Sequence, residues 1–60
     1  MKVADILNIT TDYTNIAIYT PAGEIVSWYD GKNSINEKYN DADVVQITAT
    51  DIGLIIYINA

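Results

Sequence analysis

Carboxylates carry most of the chemistry that this sequence could perform. Asp41 and Asp43 lie two residues apart near the start of a predicted strand, where side chains two apart point to the same side. Together with Asp30 and Glu37 they could bind a hard cation through oxygen ligands. The stretch from Asp30 does not follow the EF-hand spacing, because glycine comes second and lysine third. We therefore interpret these residues as a solvated acidic loop and predict no metal site.

Other catalytic residue types are scarce in the chain. Its 60 residues include no histidine, cysteine or arginine, so a Ser-His-Asp or Cys-His triad and a zinc site built on these residues are excluded within them. The serines, Ser27 and Ser34, have no candidate base beside them in sequence. A carboxylate pair for glycoside hydrolysis needs a cleft, and a domain of this size has little room for one. We predict that the protein is not an enzyme and uses no cofactor.

The net charge of −5 limits the classes of partner. The only cationic side chains are Lys2, Lys32 and Lys38, so direct binding to nucleic acid or to an anionic membrane is not expected. An acidic surface could meet a basic protein partner. In one alternative, spaced carboxylates imitate phosphates and inhibit a host nucleic-acid-binding enzyme. The candidate residues for that surface are Asp30, Glu37, Asp41, Asp43 and Asp51.

A short helix is predicted at the N-terminus. Val3, Ile6 and Leu7 have the spacing of one helical face. Asp5 then lies in the first turn, where a carboxylate suits the helix dipole. A helix this short is not stable alone, so it must dock on the rest of the chain. A second helical turn is predicted over residues 35–37, capped by Ser34.

Two β-hairpins are predicted after the helix. In the first, a three-residue turn over residues 21–23 pairs Thr20 with Glu24. In the second, a four-residue loop over residues 50–53 places Ala49 opposite Leu54. The predicted fold class is α+β: one small domain over residues 1–60, with the helix packed on a four-stranded, mostly antiparallel sheet. The default strand order is 1-2-3-4, because consecutive strands usually neighbour each other.

Both faces of the predicted sheet are apolar. Alternation assigns to the core face Ile16, Ile18, Val26, Trp28, Val45, Ile47, Leu54, Ile56 and Ile58. It assigns to the reverse face Ala17, Tyr19, Ile25, Val44, Ile55 and Tyr57, with Ser27, Gln46 and Thr48 among them. A two-turn helix covers only part of four strands, and monomers rarely leave such a patch open. The alternative is a half-exposed face whose tyrosines tolerate water.

Self-association through the sheet is therefore the leading hypothesis, face to face or through edge strands. We expect a homodimer, and the predicted interface residues are Tyr19, Ile25, Val44, Ile55 and Tyr57. The predicted function is a non-enzymatic protein-interaction module.

The order of the predicted elements also resembles a known group of proteins. A short N-terminal helix, the run Thr11–Thr14, a strand and a terminal Leu-x-Ile-Tyr-Ile over Leu54–Ile58 are similar to small uncharacterised proteins carried by phages and mobile elements of Gram-positive bacteria. The resemblance covers most of the chain. It implies a cytoplasmic accessory protein, without catalytic residues to carry over. No secretion signal or membrane-spanning stretch is visible, so we expect a complete, soluble, intracellular product.

Overall fold

The computed structural model describes residues 1–59 and confirms the α+β class. Its helix, α1, spans Val3–Ile9. Its strands are β1 (Asn15–Tyr19), β2 (Ile25–Gly31), β3 (Asp43–Ala49) and β4 (Leu54–Asn59). Two short 3-10 helices, Lys32–Ser34 and Glu37–Tyr39, lie in the connection between β2 and β3.

The four strands form one mixed sheet in the order β2-β1-β4-β3. The two hairpins are antiparallel, and β1 pairs with β4 in parallel at the centre of the sheet. The default order 1-2-3-4 is therefore wrong. A physical reason lies in the composition of the strands, because β1 and β4 contain no charged residue and suit positions with a neighbour on each side. The segment between them is long enough for the crossover that a parallel pair requires.

Both predicted turn registers are confirmed. In the first hairpin, the backbone N–H of Thr20 donates to the carbonyl of Glu24 at 2.9 Å. In the second, Ala49 lies opposite Leu54. The backbones of Thr50 and Gly53 hydrogen-bond to each other in both directions, at 2.7 and 3.4 Å. The turn chemistry therefore predicted both hairpins correctly where they close.

Away from the turns, irregular pairing changes which side chains reach the core. In β3, Val44 pairs with Ile58 and Gln46 with Tyr57, which leaves Val45 as an extra residue. Val44 consequently packs against the core, whereas Val45 is 64% exposed. The predicted faces of these two valines are wrong, because one bulged residue reverses the alternation beyond it.

Strand β2 departs from the predicted register twice. Ile18 pairs with Ser27 instead of Val26, and Ile16 pairs with Asp30 instead of Trp28. Val26 still packs against the core. Trp28 does not, since it is 58% exposed, so its predicted place in the core is wrong. Ser27, predicted on the reverse face, is buried, and its hydroxyl donates to the carbonyl of Ile16.

The core lies between the sheet and a layer made by α1 and the connection from β2 to β3. Its buried cluster consists of Val3, Ile6, Ile16, Ile18, Ile35, Ile56 and Ile58. The backbone N–H groups of Val3 and Ala4 donate to the carbonyls of Ala42 and Asn40, each at 3.0 Å. These bonds satisfy helix donors that have no partner within the helix. The connection therefore fixes the start of α1 over the sheet.

The predicted helical turn capped by Ser34 is also wrong. Ile35 is extended, with φ −77° and ψ 132°, because its side chain turns into the core. The 3-10 helix that follows begins two residues later, at Glu37, and the side chain of its N-cap residue, Asn36, accepts a hydrogen bond from the backbone of Lys38 at 3.0 Å.

Candidate functional site

The sheet face opposite α1 is the candidate site. Ile16 and Ile18 point into the core, so Ala17 and Tyr19 point to the opposite face of β1. By the same alternation, Ile55 and Tyr57 point to that face of β4. Three of the five predicted interface residues, Tyr19, Ile55 and Tyr57, therefore lie on it.

Four aromatic rings meet on this face. The rings of Tyr19 and Tyr57 are 5.7 Å apart between centroids, and those of Tyr19 and Trp28 are 6.5 Å apart. Trp28 also meets the ring of Tyr29 at 5.0 Å in an edge-to-face arrangement. Such contacts hold each ring against its neighbours. We call Tyr19, Trp28, Tyr29 and Tyr57 the aromatic face.

Tyr29 adopts an unusual conformation to reach its position. Its φ is +53°, a left-handed conformation that costs an L-residue roughly 1–2 kcal/mol. Its hydroxyl oxygen lies 3.4 Å from the hydroxyl oxygen of Thr50, beyond the end of β3. This contact joins the aromatic face to the β3–β4 turn. Ala17, on the same face of β1, is fully buried.

A shallow depression lies at one end of the aromatic face. Its volume is about 330 Å³. Tyr19 and Tyr57 line it, together with the β1–β2 turn and the bulged Val45. None of its lining residues is charged. Its shape and composition fit an apolar or aromatic side chain of a partner.

Two further predicted interface residues lie elsewhere. Ile25 pairs with Tyr19 at the end of β2 and is 51% exposed, so it extends the apolar surface at the margin. Val44 belongs to the core side and contributes nothing to the aromatic face. Sequence reasoning missed Trp28 and Tyr29. The stretch from Ile25 to Asp30 contains neither glycine nor proline, the residues that most often mark an irregular strand.

The helix leaves part of its own sheet face uncovered, as its short length predicts. An open apolar groove of about 440 Å³ lies beside α1. Ile6 and Ile9 line it from the helix, and Ile47 and Leu54 line it from the sheet. The predicted core residues Ile47 and Leu54 thus lie on the expected face, but at this open margin.

The five predicted acidic residues are all exposed but do not form one row. Asp43 binds Lys2, whose Nζ lies 2.7 Å from its Oδ1. This hydrogen bond lowers the pKa of Asp43 and raises the pKa of Lys2. Asp30 accepts a hydrogen bond from Ser27 at 3.1 Å. Asp51 lies in the β3–β4 turn, at the other end of β3 from Asp43.

Glu37 and Asp41 complete this acidic set, and both lie in the connection between β2 and β3. Among residues 1–59, no three acidic side chains lie close enough together to hold a metal ion.

Comparison with protein-family models, with curated proteins and with solved structures finds no match for this chain. In the described part of the chain, no helix is long and apolar enough to cross a membrane.

Proposed function

We propose that this protein is a non-enzymatic interaction module that self-associates by packing the aromatic faces of two copies together. One observation carries the proposal: Trp28 is 58% exposed in the middle of a group of tyrosine rings. Tryptophan and tyrosine are enriched among the residues that contribute most binding energy at protein interfaces. They also lose little side-chain entropy on binding, especially when neighbouring rings already hold them.

A second copy of the chain fits this face because the face avoids like charges. Each chain carries a net charge of −5, so a contact between copies must keep carboxylates apart. The two central strands contain no charged residue. A twofold contact also needs complementary features on one surface. The exposed Trp28 and the depression beside Tyr19 and Tyr57 supply a projecting side chain and a recess on the same face.

The size of the face predicts a modest affinity. The molecule measures 26 × 21 × 17 Å, so its sheet face is smaller than the ~800 Å² per partner of a standard interface. We expect dissociation in the micromolar range, where aromatic packing offsets the entropy lost on association.

The test measures mass and tryptophan fluorescence across concentration. Trp28 is the one tryptophan in the chain, so a blue shift of its emission on concentration reports burial of this face. Tyr57→Lys places a charge on the aromatic face and should abolish the blue shift of the Trp28 emission on concentration. The matched control is Tyr13→Lys, since Tyr13 is 95% exposed and outside the aromatic face. Wild-type protein that sediments as one chain at tens of micromolar contradicts the proposal.

The acidic-mimic alternative has less support. An imitation of a phosphate row needs carboxylates at regular spacing on one surface. Here Asp43 is paired with Lys2, and Asp51 lies at the far end of β3. A basic protein partner that binds in a salt-sensitive way would favour this alternative, and binding would then depend on Asp51 instead of Tyr57.

A further inference from the structure

The two edges of the sheet differ in how well they are protected. Sheet edges are usually shielded by charges, proline or irregular backbone. The β2 edge has two register shifts, the left-handed Tyr29 and the charged Asp30. The β3 edge, by contrast, includes seven consecutive residues, 44–50, with no charge and no proline.

Only the first part of the β3 edge is covered. The backbone N–H of Val44 donates to the carbonyl of Met1 at 2.8 Å, and Lys2 forms a bridge with Asp43. The bulged Val45 follows directly. Beyond it, residues 46–49 have no further strand beside them among the described residues. This short segment is the open edge.

The direction of each backbone group on the open edge follows from the turn. Thr50 and Gly53 hydrogen-bond to each other, so the backbone groups of Thr50 point inward, toward β4. In an antiparallel ladder these directions alternate, so Thr48 also points inward, whereas Ile47 and Ala49 present their N–H and C=O groups to the free edge. The outward N–H of Val44 agrees with this count once the extra residue at Val45 is included.

We propose that the β3 edges of two copies pair antiparallel about a twofold axis, with Thr48 opposite Thr48. This inference deepens the proposed self-association by naming a second contact. In this register, Ile47 of each copy exchanges both of its backbone hydrogen bonds with Ala49 of the other. These are the groups that the free edge leaves without a strand partner.

Neighbouring registers fit less well. Centring the pair on Ile47 brings the bulged Val45 against Ala49, where the bulge disturbs the ladder. Centring it on Ala49 places Ile47 level with Asp51, which lies in the turn. The Thr48-centred register places Asp51 level with Val45, so no carboxylate opposes another in the paired segment.

The side chains also favour this register. Opposed threonines are a favourable cross-strand pair. On the other face, Ile47, which is 43% exposed, gains Ala49 of the other copy as a neighbour. The pairing joins two sheets into one and leaves their aromatic faces on the same side. Both contacts can therefore form together, and two joined sheets then stack into a closed assembly of four chains with D2 symmetry.

A single-cysteine crosslink tests the register, because the chain has no cysteine of its own. Thr48 forms a pair without direct backbone hydrogen bonds, in which opposed Cα atoms are ~4.5 Å apart, within the range of a disulfide. Thr48→Cys should give a disulfide-linked dimer under mild oxidation. The control is Gln46→Cys, on the same face of the same strand, whose two copies would be ~13 Å apart along the strands. We expect crosslinking at position 48 to be at least tenfold faster.

Background variants separate the two contacts. The crosslink at position 48 should persist with Tyr57→Lys, which removes the face contact, and should be lost with Ala49→Pro. Proline there removes an outward N–H and leaves the internal ladder intact, which circular dichroism checks.

Equal rates at positions 46 and 48, or no crosslink at 48 in a protein whose mass shows self-association, would overturn the edge pairing alone. A single-chain mass at all concentrations, without crosslinking, would overturn both proposals.

Discussion

Lys32 joins parts of the chain that are distant in sequence. Its Nζ donates to the carbonyls of Leu7 and Thr10, at 3.2 and 2.7 Å. It also lies 3.3 Å from the carboxylate of Asp12. A cation at this position satisfies carbonyls at the end of α1 and suits the negative end of the helix dipole. The residue therefore fixes the C-terminal end of the helix to the connection after β2.

Replacing Lys32 should consequently destabilise the fold. Lys32→Met keeps an unbranched apolar side chain but removes the three polar contacts. We expect a loss of about 1–2 kcal/mol in the free energy of unfolding, since the side chain is only 21% exposed and charged hydrogen bonds are stronger than neutral ones. Urea unfolding measures the change.

Lys38→Met is the matched control for this substitution. The Lys38 ammonium lies 5.1 Å from the centre of the Tyr39 ring, and the residue is exposed, so its loss should cost less than about 0.5 kcal/mol. Equal losses for the two lysines would show that the contacts at the helix end contribute nothing specific.

At the scale of elements, the parallel pair β1–β4 depends on one close approach. Gly53 directly precedes β4. A Cβ added there would overlap the backbone carbonyl of Asn15 at the start of β1. The side chain of Asn15 also donates to the carbonyl of Ile52 at 3.2 Å. The β3–β4 turn thus packs directly on the first residue of β1, and this contact aligns Ile16 with Leu54.

Gly53→Ala should therefore separate β1 from the turn. We expect a loss of at least about 2 kcal/mol, because backbone cannot yield as a flexible side chain can. Gly31→Ala is the control: no atom lies within 4 Å of its added Cβ, and φ is −62°. Alanine there should be neutral or stabilising by up to about 1 kcal/mol. If thermal unfolding shows both variants equally stable, the close approach does not constrain the sheet.

The elements also show what the sequence could predict. The helix, both turns and the end at which each hairpin closes follow from local signals, such as Pro21 and Gly23 at the first turn. The bulges have no such signal, so Val45 and Trp28 were assigned to the wrong faces. The predicted strand order was wrong because neighbours in sequence need not be neighbours in the sheet. The order depends on which strands can best accept a neighbouring strand on both sides, and no local signal reports this. For the same reason the aromatic face was predicted only in part, through Tyr19, Ile55 and Tyr57.

For the whole molecule, stability and assembly should be coupled. A chain of 60 residues buries only about 60% of the surface that it exposes when unfolded. Under the proposed self-association, contacts between copies would contribute a substantial part of its stability, because partners that bind only the folded chain stabilise it by mass action. The aromatic face and the β3 edge are the two surfaces that would supply these contacts.

Thermal unfolding should accordingly depend on protein concentration. Over a hundredfold increase we expect the midpoint to rise by roughly 5 °C. A double variant, Tyr57→Lys with Ala49→Pro, should have a lower midpoint that does not change with concentration. Calorimetry measures both. A wild-type midpoint that is independent of concentration would mean that contacts between copies do not contribute to the stability of the folded chain.

The central position of β4 has a consequence for folding during synthesis. Strand β1 must pair with β4, whose first residue, Leu54, lies far along the chain from its partner Ile16. Until the ribosome has released β4, the β1–β2 hairpin presents the inner edge of β1 without its partner. The strand itself contains no charged side chain, so its edge lacks one of the usual protections against pairing with another strand. The chain is therefore most prone to associate wrongly with other chains during translation, before β4 emerges from the ribosome.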